Sequence, residues 1–253
     1  MKVISIVALK GGVGKTTTAV NMAYILGTCY GKKVLIVDND KQGNLSKSFR
    51  QYDDEDEMTI SRVLKGKSFD LHEIIKSTIY EQLDIITANT GMIQACMELS
   101  LNKIIPQQLC FQNAFNQVKE EYDYLIIDNA PDVNVAVVNS LACTNDVIIP
   151  IMIDEYALTG LKVLMEQIEL VKTYYNPKIA VKGLITAYKK SPCVDEQIEG
   201  LDNILGMYKT RIKRTEGKVI ESTFAGVPVV EVSRRCGASR SYMKFVKEYL
   251  DEE

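Results

Sequence analysis

Along the chain, short apolar runs rich in β-branched residues alternate with longer stretches whose apolar positions recur at helical spacing. The runs are VISIVAL from Val3, KVLIVD from Lys33, LDIITA from Leu83, YLIID from Tyr124, DVIIPIMI from Asp146 and AVKGLITA from Ala180. Each is followed by a helix-like segment, so the pattern predicts an α/β fold with a mainly parallel central sheet. In IVAL, LIV, LII and VIIPI both alternating positions are apolar, which suits central strands covered by helices on both faces. Ligands of such sheets sit beyond the carboxyl ends of the strands. The glycine-rich stretch after the first run, Asp38 and Asp128 each follow a run directly, so the pattern brings them to one edge. Residues 46–82 look loosely organised. Within them the acidic DDEDE run at Asp53 to Glu57 reads as a solvated loop, and Thr59 as the cap of a short helix.

Composition narrows the class. With 253 residues, 46% hydrophobic and 25% charged, the chain is expected to form a single domain over 1–253. A formal net charge of −3 gives no general attraction to nucleic acid, so any such contact must come from basic residues gathered on one face. Cys29, Cys96, Cys110, Cys143, Cys193 and Cys236 never fall as C-x-x-C, and His72 is the lone histidine, so a zinc set is not expected. Buried, reduced thiols of a cytoplasmic protein are expected instead. Met1 leads straight into a strand-like run rather than a signal peptide, and no apolar run approaches the roughly 20 residues that span a bilayer.

The chemistry concentrates at ALKGGVGKTTTAVN, Ala8 to Asn21. A glycine-rich loop between strand and helix turns several backbone N–H groups toward an anion, and the helix N-terminus adds partial positive charge. Gly11, Gly12 and Gly14 let the backbone approach, Lys15 is placed to reach the β- and γ-phosphates, and Thr16 offers a hydroxyl to Mg²⁺. With Val13 and Thr17 they complete the expected ATP cradle. The ordinary P-loop spacing puts its first glycine at position 9, but that residue is Leu, and a second lysine, Lys10, stands before the Gly-Gly pair. Asp128 closes an apolar strand in the Walker B manner, which holds Mg²⁺. Asp38 and Asp40 in VDNDKQGN are either turn formers or carboxylates placed at the γ-phosphate.

KGGVGKTT with Lys10, the DxD-x-QGN segment from Asp38 to Asn44, IIDNAPD around Asp128 and PIMIDEYALTGL from Pro150 together resemble the ParA/MinD group of deviant Walker ATPases. The DxDxQGN form and the tail GVPVVEVSRRCGASRSY are more similar to the ParA (Soj) branch. The resemblance covers nearly the whole chain, with residues 46–120 contributing least. It implies an ATP-dependent homodimer in which Lys10 reaches the partner's phosphates, while Asp40 positions the attacking water and Asp38 supports the magnesium shell. A lysine supplied in trans couples dimerisation to ATP much as an arginine finger does. The resemblance also places adenine near Thr186 to Lys190 and Ile212 to Thr215. Two departures from the family pattern stand out. Lys41 replaces the usual proline of DxDPQ, which loosens that loop, and Asn129-Ala130-Pro131 replaces a small residue followed by two prolines.

ParA-like members bind DNA without sequence preference and work with a ParB-like centromere-binding protein. Arg211, Lys213, Arg214, Arg234, Arg235 and Arg240 are the candidate DNA contacts here, with scattered solubilising charge as the plain alternative. No helix-turn-helix precedes the loop. A MinD-like membrane helix is disfavoured by the acidic end of SYMKFVKEYLDEE. A third class, a metabolic P-loop kinase or ligase, would show ATPase activity indifferent to DNA. Its nitrogenase iron-protein branch needs a cluster cysteine just after Asp128, and none occurs up to Leu141.

Overall fold

In the computed structural model, which describes residues 1–66, 68–102, 104, 106–154 and 157–252, every predicted run becomes a strand of one sheet. These are β1 (Lys2–Ile6), β2 (Val34–Asn39), β4 (Leu83–Ile86), β5 (Tyr124–Asn129), β6 (Asp146–Met152) and β7 (Ala180–Thr186). One strand was not expected: β3 (Ile75–Ser77) pairs antiparallel with β4 at the sheet edge. The order is β3-β4-β2-β5-β1-β6-β7, and all pairings other than β3·β4 are parallel. The chain runs outward from β1 in one direction and later in the other, so the crevice of the switch point opens beyond the ends of β1, β5 and β2.

The helices are α1 (Lys15–Tyr24), α2 (Asn44–Ser48), α3 (Ser61–Leu64), α4 (Gly91–Leu101), α5 (Cys110–Phe115), α6 (Val135–Cys143), α7 (Ala157–Tyr174), α8 (Pro192–Asp202), α9 (Glu216–Ala225), α10 (Val229–Val232) and α11 (Gly237–Asp251). Strand period 2 sorts the core. Val34 and Ile36 face α1 and α11, whereas Leu35 and Val37 face α3, α4 and α5. Around β6 and β7, Val147, Ile149 and Ile185 pack with Leu161, Leu164 and Ile168 of α7. Because both faces are covered, every residue of β2 and β5 is buried, including the polar ends Asp38, Asn39, Asp128 and Asn129.

Three expectations need correction. The acidic run is the largely exposed loop expected, but the 46–82 segment is not loose there: the Asn89 side-chain amide donates to the carbonyls of Asp53 (2.9 Å) and Asp56 (2.8 Å), Thr90 Oγ1 donates to Asp54 (2.7 Å), and Lys76 pairs with Asp56. Long-range bonds of this kind leave no local pattern. Thr59 accepts from the Ser61 amide at 3.4 Å, but the N-cap of α3 is Ile60 with no side-chain cap, so Thr59 is not the expected cap. The cysteines are all free, but none is fully buried as expected: Cys29 and Cys193 are exposed, and Cys96, Cys110, Cys143 and Cys236 are half-buried. Burial raises the thiols of Cys96, Cys110 and Cys143, the last to about 12.

Helix α11 holds α1, and therefore the loop before it, against the sheet. Tyr242 and Thr18 share a hydroxyl bond of 3.2 Å, and the fully buried Phe245 ring meets Tyr208 edge-on at 4.9 Å. Phe245→Ala is expected to cost about 3–5 kcal/mol of unfolding free energy in urea titrations, the range for an aromatic removed from a packed core.

Candidate nucleotide site

Residues 7–14 leave β1 and turn into α1 through two glycines with positive φ, Gly12 (75°) and Gly14 (93°), a conformation that a side chain would strain. Gly14 is the N-cap of α1, which has no side-chain cap and no acidic residue in its first turn, so its amides are left for an anion. Val13 is buried, and its carbonyl accepts from Thr186 Oγ1 at 2.7 Å, fixing the loop to the end of β7. Beside this loop lies a cleft of about 470 Å³, whose lining includes Gly14, Lys15, Thr16, Asp40, Gln42 and Thr223.

The carboxylates sit at the floor of the site. Asp38 and Asp128 are in register across β2 and β5, and both are buried. Thr16 Oγ1 donates to Asp128 Oδ2 at 2.6 Å, while Asp128 Oδ1 is buried without a protein partner. A hydroxyl, a carboxylate oxygen held by it and a second, unpaired oxygen fit the hydrated shell of a hard cation such as Mg²⁺. Asp38 is committed differently. Its Oδ2 accepts from Ser46 N (2.8 Å) and Ser46 Oγ (2.7 Å), and its Oδ1 accepts from the Asp40 amide (3.2 Å). Asp38 therefore abuts the site as an anchor for α2. Ser46 was missed in the sequence, where nothing distinguishes it from its neighbours.

Burial dominates the titration of these groups. It pushes Asp38 up to about 8, with the Asp128 charge adding to the effect and the bonds from Ser46 and Asp40 opposing it. Burial also pushes Asp128 up to about 7, against the Thr16 bond and the Lys15 charge. Lys15 is buried beside them, and burial lowers its pKa while Asp128, Asp40 and Asp132 draw it back up.

Asp40 lines the cleft, and its Oδ1 accepts from the Gln42 amide at 2.9 Å. Lys41 is exposed, and the turn lacking proline is closed by Gly43 N to Asp40 O (2.8 Å) and Lys47 Nζ to Gln42 O (2.7 Å). Asn39 donates to Asn129 at 2.8 Å and Asn129 to the Ile6 carbonyl at 3.2 Å, so amides link the ends of β2, β5 and β1 beneath the carboxylates. Lys10 stands apart. Its side chain, 44% exposed, is ion-paired with Asp154 of its own chain, a partner within the PIMIDEYALTGL motif. Glu155 and Tyr156 of that motif lie outside the described residues.

A second hollow, about 260 Å³, adjoins the loop and is lined in part by Gly14, Thr186, Ala187, Ile212, Lys213 and Thr215. The two loops expected at the base of a nucleotide are thus side by side. The candidate DNA contacts do not behave as one set. Arg211 donates to Asp195 at 2.6 Å and to Tyr188 at 3.1 Å, Arg214 pairs with Glu216, and Lys213 and Arg214 line the hollow. Arg234, Arg235 and Arg240 are exposed, with no ion-pair partner among the described residues.

Residues 1–181 match the family model described as AAA domain (AAA_31). Over 254 residues the chain is 30% identical to the sporulation initiation inhibitor protein Soj of Bacillus subtilis, covering 98% of this chain and 97% of that protein. It is also 30% identical to the chromosome partitioning protein ParA of Caulobacter vibrioides, covering 100% and 95%. The chain belongs to the ParA/MinD group of P-loop ATPases. The fold is shared more widely than the group's biology. The magnesium and ATP-analogue complex of Mycobacterium smegmatis cobyrinic acid a,c-diamide synthase superposes with a TM-score of 0.84 at 23% identity, covering 100% of this chain and 95% of that one.

Within this ATPase, the raised pKa of Asp128 has a measurable consequence for stability. A carboxyl whose native pKa exceeds its unfolded value contributes stability that is complete below about pH 4 and is lost as pH rises through about 7. Asp128→Asn keeps an acceptor for Thr16 and carries no charge to bury. Without magnesium or nucleotide, the variant should gain on the parent as pH rises from 5 to 8, by on the order of 2 kcal/mol at the upper end, in urea unfolding at each pH.

Proposed function

We propose that this chain is a ParA-type partition ATPase that binds Mg²⁺·ATP, dimerises, and in that state holds DNA without sequence preference while it positions a plasmid, chromosome or mobile element. The observation that carries the reading is the pair of lysines on one loop, Lys15 buried at the cleft and Lys10 exposed and ion-paired with Asp154 of its own chain. Lys15 and the α1 amides would take the phosphates, and Thr16 and Asp128 would hold magnesium, with Asp38 fixing α2 beside them. The metal would supply charge neutralisation at the β- and γ-phosphates. Asp40, at the cleft wall, would orient the attacking water. Lys10 is near enough to the surface to leave Asp154 for a partner's phosphates, so assembly of two chains completes the positive charge around each γ-phosphate.

Full-length likeness to Soj and ParA at 30% identity supports the partition role over the metabolic alternative. The likeness to the cobyrinic acid synthase, at 23%, bears on the fold alone. The exposed Arg234, Arg235 and Arg240 support a DNA face, which dimerisation would double. A ParB-like centromere-binding protein would stimulate hydrolysis and release the dimer into the cytoplasm. No helix among the described residues is long and apolar enough to cross a membrane.

Two experiments test this reading. Lys10→Ala is expected to bind ATP through Lys15 and yet remain monomeric in sedimentation, where the parent dimerises with ATP; equal dimers in both would refute the trans role. DNA affinity on random duplex should be far higher in ATP than in ADP, with log affinity falling against log salt by about 0.9 per phosphate neutralised. Replacing Arg235 and Arg240 by Ala should reduce that slope and leave ATP binding unchanged. Equal anisotropy curves in ADP and ATP would contradict the DNA switch, and ATP-dependent recruitment to anionic liposomes would replace it with a MinD-like role.

A further inference from the structure

Arg50 lies two residues beyond α2, at the end of the segment that starts with Asp40. Its backbone occupies the left-handed region (φ 55), where any side chain beyond glycine is strained. Its guanidinium Nη2 donates to the carbonyl of Ala225 at 2.7 Å. Ala225 is the last residue of α9, where carbonyls lack intrahelical partners and a cation complements the helix dipole. Gly226 follows in the left-handed C-cap position (φ 66), and a Cβ there would lie 3.1 Å from Arg50 Nε and 3.2 Å from Arg50 Cγ. The arginine therefore lies across the turn that ends α9, packed so closely on Gly226 that an added Cβ would force it to shift by a few tenths of an ångström.

Helix α9 needs such a tie. Of its 10 residues only Ser222 is buried, so little apolar packing holds it down. Nevertheless it forms one wall of the cleft through Ser222 and Thr223, and one wall of the adjoining hollow through Val219 and Ile220. The opposite wall of the cleft comes from Asp40, Gln42, Asn44 and Lys47. Two walls supplied by distant segments retain a ligand only as well as they hold one another.

We propose that Arg50 is the clasp between these walls, a positioning residue that keeps α9 over the bound nucleotide and slows its release. The ligand in this statement rests on the nucleotide reading above, whereas the clasp itself does not. The test compares the parent with Arg50→Gly, which relieves the backbone strain while removing the guanidinium, and Arg50→Lys, which keeps a cation. Amide hydrogen exchange is measured without nucleotide, and release of a fluorescent (mant) ADP with Mg²⁺ by stopped flow. Arg50→Gly should melt at or above the parent temperature, exchange faster over residues 216–225 with α1 unchanged, and release mant-ADP about three- to tenfold faster, as expected for one lost hydrogen bond. Arg50→Lys should fall between the two. Parent-like exchange in α9 together with parent-like release from Arg50→Gly would overturn the clasp. Faster α9 exchange in a protein that binds no mant-ADP at all would uphold the clasp and remove the nucleotide reading instead.

Discussion

Asp38 and Asp128 face each other at the ends of adjacent strands, both buried, with Lys15 as the buried cation beside them. Two carboxylates in that position cannot both be charged without cost, and the surrounding structure divides the burden. Asp38 is satisfied by Ser46 and the Asp40 backbone, so it holds the start of α2 in place. Asp128 keeps one oxygen free of protein partners. A divalent cation with its phosphates would relieve this imbalance, so the floor of the site is poised for a ligand that the protein alone does not replace.

The position of every other group follows from that floor. The parallel order β2-β5-β1 sets both carboxylates next to the glycine turn, and the Asn39–Asn129 amide link stiffens the strand ends beneath them. The segment from Asp40 to Ser48 forms one wall, and α9, through Ser222 and Thr223, forms the other. Lys10 remains outside, paired with Asp154, at the rim where a second molecule would approach. Under the proposed function, such an arrangement would bind nucleotide as a single chain and gain its final positive charge only on assembly of two chains, which would couple ATP to dimerisation.

Much of this was legible in the sequence, for a physical reason. Strands buried on both faces must be apolar at consecutive positions, so β1, β2, β4, β5, β6 and β7 stand out, and a carboxylate ending such a run is conspicuous. β3 is three residues, Ile-Lys-Ser, at a sheet edge with no apolar alternation to read. The glycine turn was legible because positive φ restricts residue choice. Ser46, Asp154 and Arg50 were not, since each acts through a long-range hydrogen bond or ion pair that imposes no local periodicity. The basic residues illustrate the same limit: proximity in sequence grouped Arg211 and Arg214 with Arg234, Arg235 and Arg240, but Asp195 and Glu216 neutralise the first two.

Everything built on this site requires that the buried Asp128 and Lys15 hold a magnesium-bound nucleoside triphosphate. Titration calorimetry of ATP into the parent protein and into Lys15→Ala, each with Mg²⁺ and with EDTA, tests it most directly. Saturable binding is predicted for the parent with Mg²⁺, strongly weakened by EDTA and absent in Lys15→Ala, because among the described residues no other cation is buried at the cleft. Undiminished affinity in the Lys15 variant, or affinity independent of the metal, would contradict it.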